Sequence, residues 1–158
     1  MISEKKKREV IEQLLLQNYN KYYRLACSYV HNDSDAGDIV QNGAYKAILH
    51  SHKLKNIKHA ETWLYRIMLN EVFANYRDRE SVSLEEDVYE QGKEDTYENV
   101  DLQKAINTLE KKDRVVIVLR YFEEMKLEEI AMVLEENLST VKSRLYRSMK
   151  KLRLEMEE

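Results

Sequence analysis

The 158-residue chain contains no proline and only three glycines, Gly37, Gly43 and Gly92. Tight hairpins need residues that accept positive φ or that fix φ in advance, so a many-stranded sheet would lack its turn chemistry here. Helices need neither. The hydrophobic set is 43% of the chain and charged residues are 35%, which leaves room for a packed core and excludes collagen-like, low-complexity or wholly disordered chains. The longest aliphatic run, Val115 to Leu119, is far short of the roughly 20 residues of a membrane helix.

Apolar spacing then locates the helices. From Lys5 to about Val30, residues Val10, Ile11, Leu14, Leu15, Tyr22, Leu25, Ala26, Tyr29 and Val30 recur mostly three or four apart, as on one buried helix face. His31-Asn32-Asp33 ends that helix, and Ser34 is the expected N-cap of a second helix running to about Leu49. Gly37 and Gly43 weaken it by up to about 1 kcal/mol each, so packing must hold it. The basic stretch Ser51 to His59 breaks the period. A third helix, Ala60 to about Arg77, follows, with Trp63, Leu64, Ile67, Met68 and Val72 as its apolar set.

Charge divides the chain into three. Residues 1–77 carry 12 Lys/Arg against 8 Asp/Glu, residues 78–101 carry 2 against 10, and residues 102–158 carry 12 against 11. The middle stretch has no sustained apolar period and reads as an acidic linker, with an exposed acidic helix as the alternative. Beyond it, Leu102 to Leu109 and Asp113 to Tyr121 read as short helices, and Leu127, Ile130, Ala131 and Leu134 mark another. A turn at Glu135 to Leu138 leads to a last helix with Ser139 as expected N-cap and Val141, Leu145, Met149 and Leu152 as expected buried side. The fold class expected is therefore all-α: two small helical modules, 1–77 and 102–158, joined by the linker 78–101, the second ending in a helix-turn-helix.

The last two helices are polarised. Residues 123–136 hold six acids against one Lys, whereas residues 139–153 hold six bases and no acid. The outer side of the last helix carries Thr140, Lys142, Ser143, Arg144 and Arg147, suited to a DNA major groove. The plainer alternative is a helical hairpin with a solvated basic face. In the first module, residues 53–77 offer five Lys/Arg interleaved with Trp63, Tyr65 and Tyr76, the mixture of phosphate-binding and base-stacking groups that holding single-stranded DNA requires. Trp63 could equally anchor the bundle core.

Other chemistry is not supported. Asp33-Ser-Asp35-Ala-Gly37-Asp38 resembles the opening of a calcium loop, but its twelfth position is Ala44 rather than Glu. His50, His52 and His59 lack Cys or carboxylate partners at zinc spacing. Phosphate loops, nucleophile elbows and HExxH motifs do not occur, so catalytic residues, metal, cofactor and small-molecule substrate are not expected. The single Cys27 can form no internal disulfide and reads as a small buried residue. With no small-residue cleavage site after the basic start Met1 to Arg8, a cytoplasmic location is expected.

The blocks DAGDIVQNGAYKAI, TWLYRIMLNEVFANYR and LEEIAMVLEENLSTVKSRLYRSMKKLR resemble, in order and spacing, the second and fourth conserved regions of the sigma-70 family, specifically its extracytoplasmic-function (ECF) subgroup. The resemblance implies a promoter-specificity subunit of bacterial RNA polymerase. It implies docking on core polymerase through Asp35, Asp38, Ile39 and Gln41. It implies melting and capture of the minus-ten element through Lys53, Lys55, Asn56, Lys58, Trp63, Arg66, Asn70 and Arg77. It implies reading of the minus-thirty-five duplex by Thr140, Lys142, Ser143, Arg144, Tyr146 and Arg147, and restraint by an anti-sigma factor. The chain departs from the family's pattern with Leu109-Glu110 for Leu-Pro, Ala60 for Phe, and Glu135-Glu136 for Gly and an apolar residue in the turn, where Leu138 is expected to supply the apolar contact. A free-standing helix-turn-helix regulator is the alternative function, and an interaction adaptor a weaker one. A pI near 5.9 favours a protein that binds DNA weakly on its own.

Overall fold

The computed structural model describes residues 2–76, 102 and 104–157. The linker 78–101 and Arg77 lie outside the described residues. The chain divides into two compact units, Met1–Tyr89 and Glu90–Glu158, and the regular elements among the described residues are all helical, with no strand among them.

The first unit packs three helices, α1 (Glu4–Val30), α2 (Asp33–Leu49) and α3 (Ala60–Tyr76), each against both others. Helix α1 starts where the Ser3 hydroxyl accepts the Lys6 backbone N–H, and it kinks at Asn18, whose φ of −115° and ψ of 18° leave the helical basin. It ends at His31 in the left-handed region, φ 56°, with the His31 N–H donating to the Cys27 carbonyl. Asn32 rather than Ser34 caps α2: its side-chain oxygen accepts the Asp35 N–H at 3.0 Å. The helix therefore begins two residues earlier than expected, with Asp33 and Asp35 in its first turn, where the helix dipole favours acids.

The core of this unit is Ile11, Tyr22, Leu25, Ala26, Tyr29 and Val30 from α1, Ala36, Ile39, Val40 and Ala47 from α2, and Leu64, Tyr65, Met68, Leu69 and Val72 from α3. Tyr22 meets Tyr65 edge to face at 5.1 Å and Tyr29 meets Phe73 at 5.8 Å, geometries that suit the aromatic quadrupoles. The buried side of α3 is rotated from the expected one, so that Trp63 and Ile67 are only half-buried while Tyr65 and Leu69 go inside. At Gly43 helices α2 and α3 approach so closely that a Cβ would meet the Met68 sulfur.

In the second unit residues 104–107 are helical. They are followed by α4 (Lys111–Ile117), which continues into a π-helical turn over Val118–Phe122, then α5 (Leu127–Leu134) and α6 (Leu138–Glu157). The run Val115 to Leu119 is buried throughout, together with Ile106, Leu109, Ile130, Val133, Val141, Leu145 and Leu152. Arg114 is 1% exposed and donates from Nη2 to the Asn107 carbonyl. Glu124, φ 56°, turns the chain after the π-helical segment.

Two expectations for α6 need correction. Asn137, not Ser139, caps it, its Oδ1 accepting both the Thr140 N–H and the Ser139 hydroxyl at 2.9 Å. Ser148, fully buried, takes the inward position expected of Met149, which is 36% exposed. Ser148 is seven residues from Val141, the spacing that returns to the same helix face, whereas Met149 is rotated a further 100°. The turn before α6 keeps the conformation for which glycine is usually chosen: Glu135 closes α5 at φ 58°.

Candidate nucleic-acid interface

The buried line Val141, Leu145, Ser148 and Leu152 fixes which side of α6 looks outward. Lys142, Ser143, Tyr146, Arg147 and Lys150 are exposed, Tyr146 at 70%, and Thr140 is half-buried at the start of the helix. Arg144 behaves differently. It lies one residue, about 100°, before Leu145, on the shoulder between core and solvent, and its side chain is 16% exposed.

Three carboxylates clasp Arg144. Its Nε and Nη2 donate in parallel to Glu136 Oε1 and Oε2, both at 2.9 Å, and Nη1 donates to Glu110 Oε1 at 3.0 Å and to Asp113 Oδ1 at 2.9 Å. Bidentate guanidinium–carboxylate pairing is the strong form of this interaction. It holds the Glu136 carboxyl below its ordinary range, against the opposing effect of burial, and raises the Arg144 pKa further. Lys112 Nζ adds a contact to Glu136 Oε2 at 3.3 Å. The clasp ties α6 to the turn and to the start of α4, so four of the five Arg144 donors are engaged by the protein's own carboxylates.

In the first unit, two 3₁₀ turns, Ser51–Lys53 and Ile57–His59, join α2 to α3, pinned by buried Ser51 and Leu54. They hold Lys53, Lys55, Asn56 and Lys58 exposed, with the Asn56 side chain capping the second turn through the Lys58 N–H at 2.9 Å. Lys7 Nζ donates to the His52 carbonyl, fastening the loop to α1. A cleft of about 460 Å³ opens beside it, lined by Lys6, Glu9 and Gln13 of α1 and by Ile57, Lys58 and Glu61. Trp63 and Arg66 are half-buried and Asn70 is exposed. The spacing i, i+3, i+7 gives the three a common face of α3. Tyr65, counted with the aromatics in the sequence, is fully buried and cannot reach a base.

On α2, Asp35, Asp38 and Gln41 are exposed. Ile39, grouped with them in the sequence, is 2% exposed and belongs to the core, so it supports the helix from beneath. Two residues escaped the sequence reading: Tyr45 and Leu49 are 68% and 53% exposed and lie seven and eleven residues beyond Asp38, on the same side of the helix. Their signal was an apolar pair standing outside the stripe Ala36, Ile39, Val40, Gly43 and Ala47. Lys46 Nζ and Glu71 Oε1, 2.7 Å apart, bridge α2 to α3.

Residues 14–82 match the family model described as Sigma-70 region 2, and residues 99–152 match that described as Sigma-70, region 4. The RNA polymerase sigma factor SigV of Bacillus subtilis is 36% identical over 159 residues, covering 96% of each chain. The chain belongs to the sigma-70 family. Similarity to the ECF RNA polymerase sigma factor SigW of Bacillus subtilis, 28% identical over 88% of this chain and 84% of that one, accords with the ECF branch. The fold matches the sigma factor RpoE solved with the anti-sigma factor NepR from Bartonella quintana, with a TM-score of 0.72 at 24% identity over 92% of this chain and 96% of that one. CnrH solved with the cytosolic domain of CnrY gives a TM-score of 0.71, also at 24% identity, over 93% of this chain and 87% of that one.

This sigma factor is thus a non-enzymatic transcription initiation factor that directs core RNA polymerase to promoter DNA. Its two conserved regions, in chain order, separate it from a free-standing helix-turn-helix regulator. Among the described residues no helix is long and apolar enough to cross a membrane.

Proposed function

We propose a division of labour between the two units of this sigma factor. Helix α6 reads the minus-thirty-five duplex through Thr140, Lys142, Ser143, Tyr146 and Arg147, while Arg144 holds the helix in place. The basic loop and α3, through Lys53, Lys55, Asn56, Lys58, Trp63, Arg66 and Asn70, take the melted minus-ten strand, and Arg77 follows them in sequence. Asp35, Asp38 and Gln41, extended by Tyr45 and Leu49, form the edge of α2 that meets core polymerase. The protein works in the cytoplasm, where polymerase and promoter are, and is restrained by an anti-sigma factor, as RpoE is bound by the anti-sigma factor NepR.

The observation that carries the proposal is the outer face of α6, where exposed cations flank exposed polar and aromatic groups while the opposite side is buried. Lys142 and Arg147, about 140° apart around the helix, bracket Ser143 and Tyr146. Base contacts change specificity, whereas phosphate contacts weaken every promoter alike. In runoff transcription from a promoter library with reconstituted polymerase, Lys142→Ala should relax preference at one or two base pairs by about 1–3 kcal/mol. Lys150→Ala should lower output uniformly. Unchanged preference in Lys142→Ala and Arg147→Ala alike would remove α6 as the reader.

A further inference from the structure

Asp113 does more than complete the clasp on Arg144. Its Oδ1 also accepts from Arg147 Nη2 at 2.9 Å, and its Oδ2 accepts from Arg147 Nε at 3.2 Å. The Asp113 side chain is 8% exposed and that of Arg147 is 59% exposed. A buried carboxylate, itself fixed by Arg144, thus grips an exposed arginine along one edge of its guanidinium plane. The guanidinium carries five donors in a rigid fork. Its other donors, on Nη1 and on the far side of Nη2, have no partner among the described residues.

We propose that Asp113 is a positioning residue that turns this far edge of Arg147 toward the major groove, making Arg147 a guanine-selecting contact of α6. The inference rests on the assignment of α6 to promoter reading and adds the base class and the residue that enforces it. Near DNA an arginine on a flexible stem has two competing targets. Phosphates lie beside every base pair and carry no sequence information, whereas the O6 and N7 acceptors of guanine form a pair matched to two parallel guanidinium donors. Held at Nε and Nη2, the Arg147 head cannot swing to the backbone without leaving Asp113, but it can offer its far edge without moving. Order present before binding need not be acquired on binding. A lysine could not be gripped on one edge and paired on the other, because its ammonium is a point charge.

The grip draws on residues that depart from the family's usual pattern. Glu110 and Glu136, two of the departures from the family pattern, both bind Arg144. Arg144 in turn occupies Asp113 Oδ1, so the carboxylate that positions Arg147 is anchored from behind.

The test is runoff transcription by core polymerase reconstituted with the full-length factor, on a library randomised across the minus-thirty-five element. Arg147→Ala should lose preference for guanine at one position by roughly tenfold. Asp113→Asn should lose the same preference at the same position, with output averaged over the library retained. The double variant should lose nothing further, and Glu110→Gln, which touches only Arg144, should keep the preference. If Asp113→Asn retains the preference that Arg147→Ala loses, Arg147 reads unaided and the proposal fails. If Arg147→Ala and Lys142→Ala both leave preference unchanged, the promoter-reading assignment itself fails. Asp113→Asn leaves Arg144 paired with Glu136 and Glu110, so the unit should fold. Independently of any variant, the Arg147 side-chain Nε–H should give an ordered, slowly exchanging nuclear magnetic resonance signal in the free factor. A freely averaging signal overturns the proposal.

Discussion

Replacing Arg144 with methionine should destabilise the second unit far more than loss of a surface cation would. Methionine keeps much of the stem's packing and removes only the charged head. Glu110, 67% exposed, then returns to water at almost no penalty, and Asp113 keeps Arg147. Glu136 is the residue left stranded: its side chain is 15% exposed and its remaining partner is Lys112 at 3.3 Å. Breaking a buried pair from one side costs about 3–5 kcal/mol. The surviving partners place this case at the low end, about 3 kcal/mol. In a unit of this size each kcal/mol moves the midpoint by about 4–8 °C, so a fall of roughly 12–24 °C is expected. The readout is thermal melting of the full chain by far-ultraviolet circular dichroism, with Trp63 fluorescence as an internal control, because Trp63 is the only tryptophan and lies in the first unit. The slow helical loss of the second unit should move down while the Trp63 transition stays. A shift below about 4 °C would mean the clasp is worth no more than a surface pair, and an equal fall in both transitions would mean its effect is not local.

The lowered pKa of Glu136 gives the second unit an acid limit. Stability from a depressed carboxylate is complete above its ordinary pKa of 4.5 and is lost as pH falls through the folded value, so melting of the second unit should fall below about pH 4.5 and Glu136→Gln should flatten that dependence. Gly37→Ala should raise the midpoint of the Trp63 transition, corresponding to up to about 1 kcal/mol, since a Cβ there meets nothing within 4 Å and helix interiors favour alanine. Joint replacement of Asp38 and Gln41 by alanine should weaken binding to core polymerase in a quantitative pull-down while leaving Trp63 fluorescence and melting unchanged.

Among the described residues, the order and extent of the main helices were legible because periodicity survives in a chain almost empty of turn formers. The N-caps were not. Asn32 and Ser34, like Asn137 and Ser139, are capping residues two positions apart, and only the geometry of helix entry chooses between them. Met149 was favoured over Ser148 by its hydrophobicity, yet helical position decided, because a serine in the right register is buried before a methionine outside it. The partners of Arg144 were hidden for a different reason. Counting charge along α6 found bases without acids, but the carboxylates that bind Arg144 lie 8, 31 and 34 residues away, beyond any local window. The sequence did mark two of them, since Glu110 and Glu136 stand where the family's pattern has other residue types.

The left-handed non-glycine residues bear on how long the molecule survives. His31 closes α1 in the first unit, whereas Glu124 and Glu135 flank α5 in the second. An L-residue in that region sacrifices about 1 kcal/mol that glycine would keep. Among the described residues the second unit carries two such positions and the first carries one, and one to two kcal/mol is a factor of about 5–30 in the fraction of molecules transiently open. Where opening is fast, proteases act in proportion to that fraction. Glycine at Glu124 and Glu135 should therefore slow proteolysis within the second unit of the full chain, and an unchanged cleavage rate there would show that these two residues do not limit its opening.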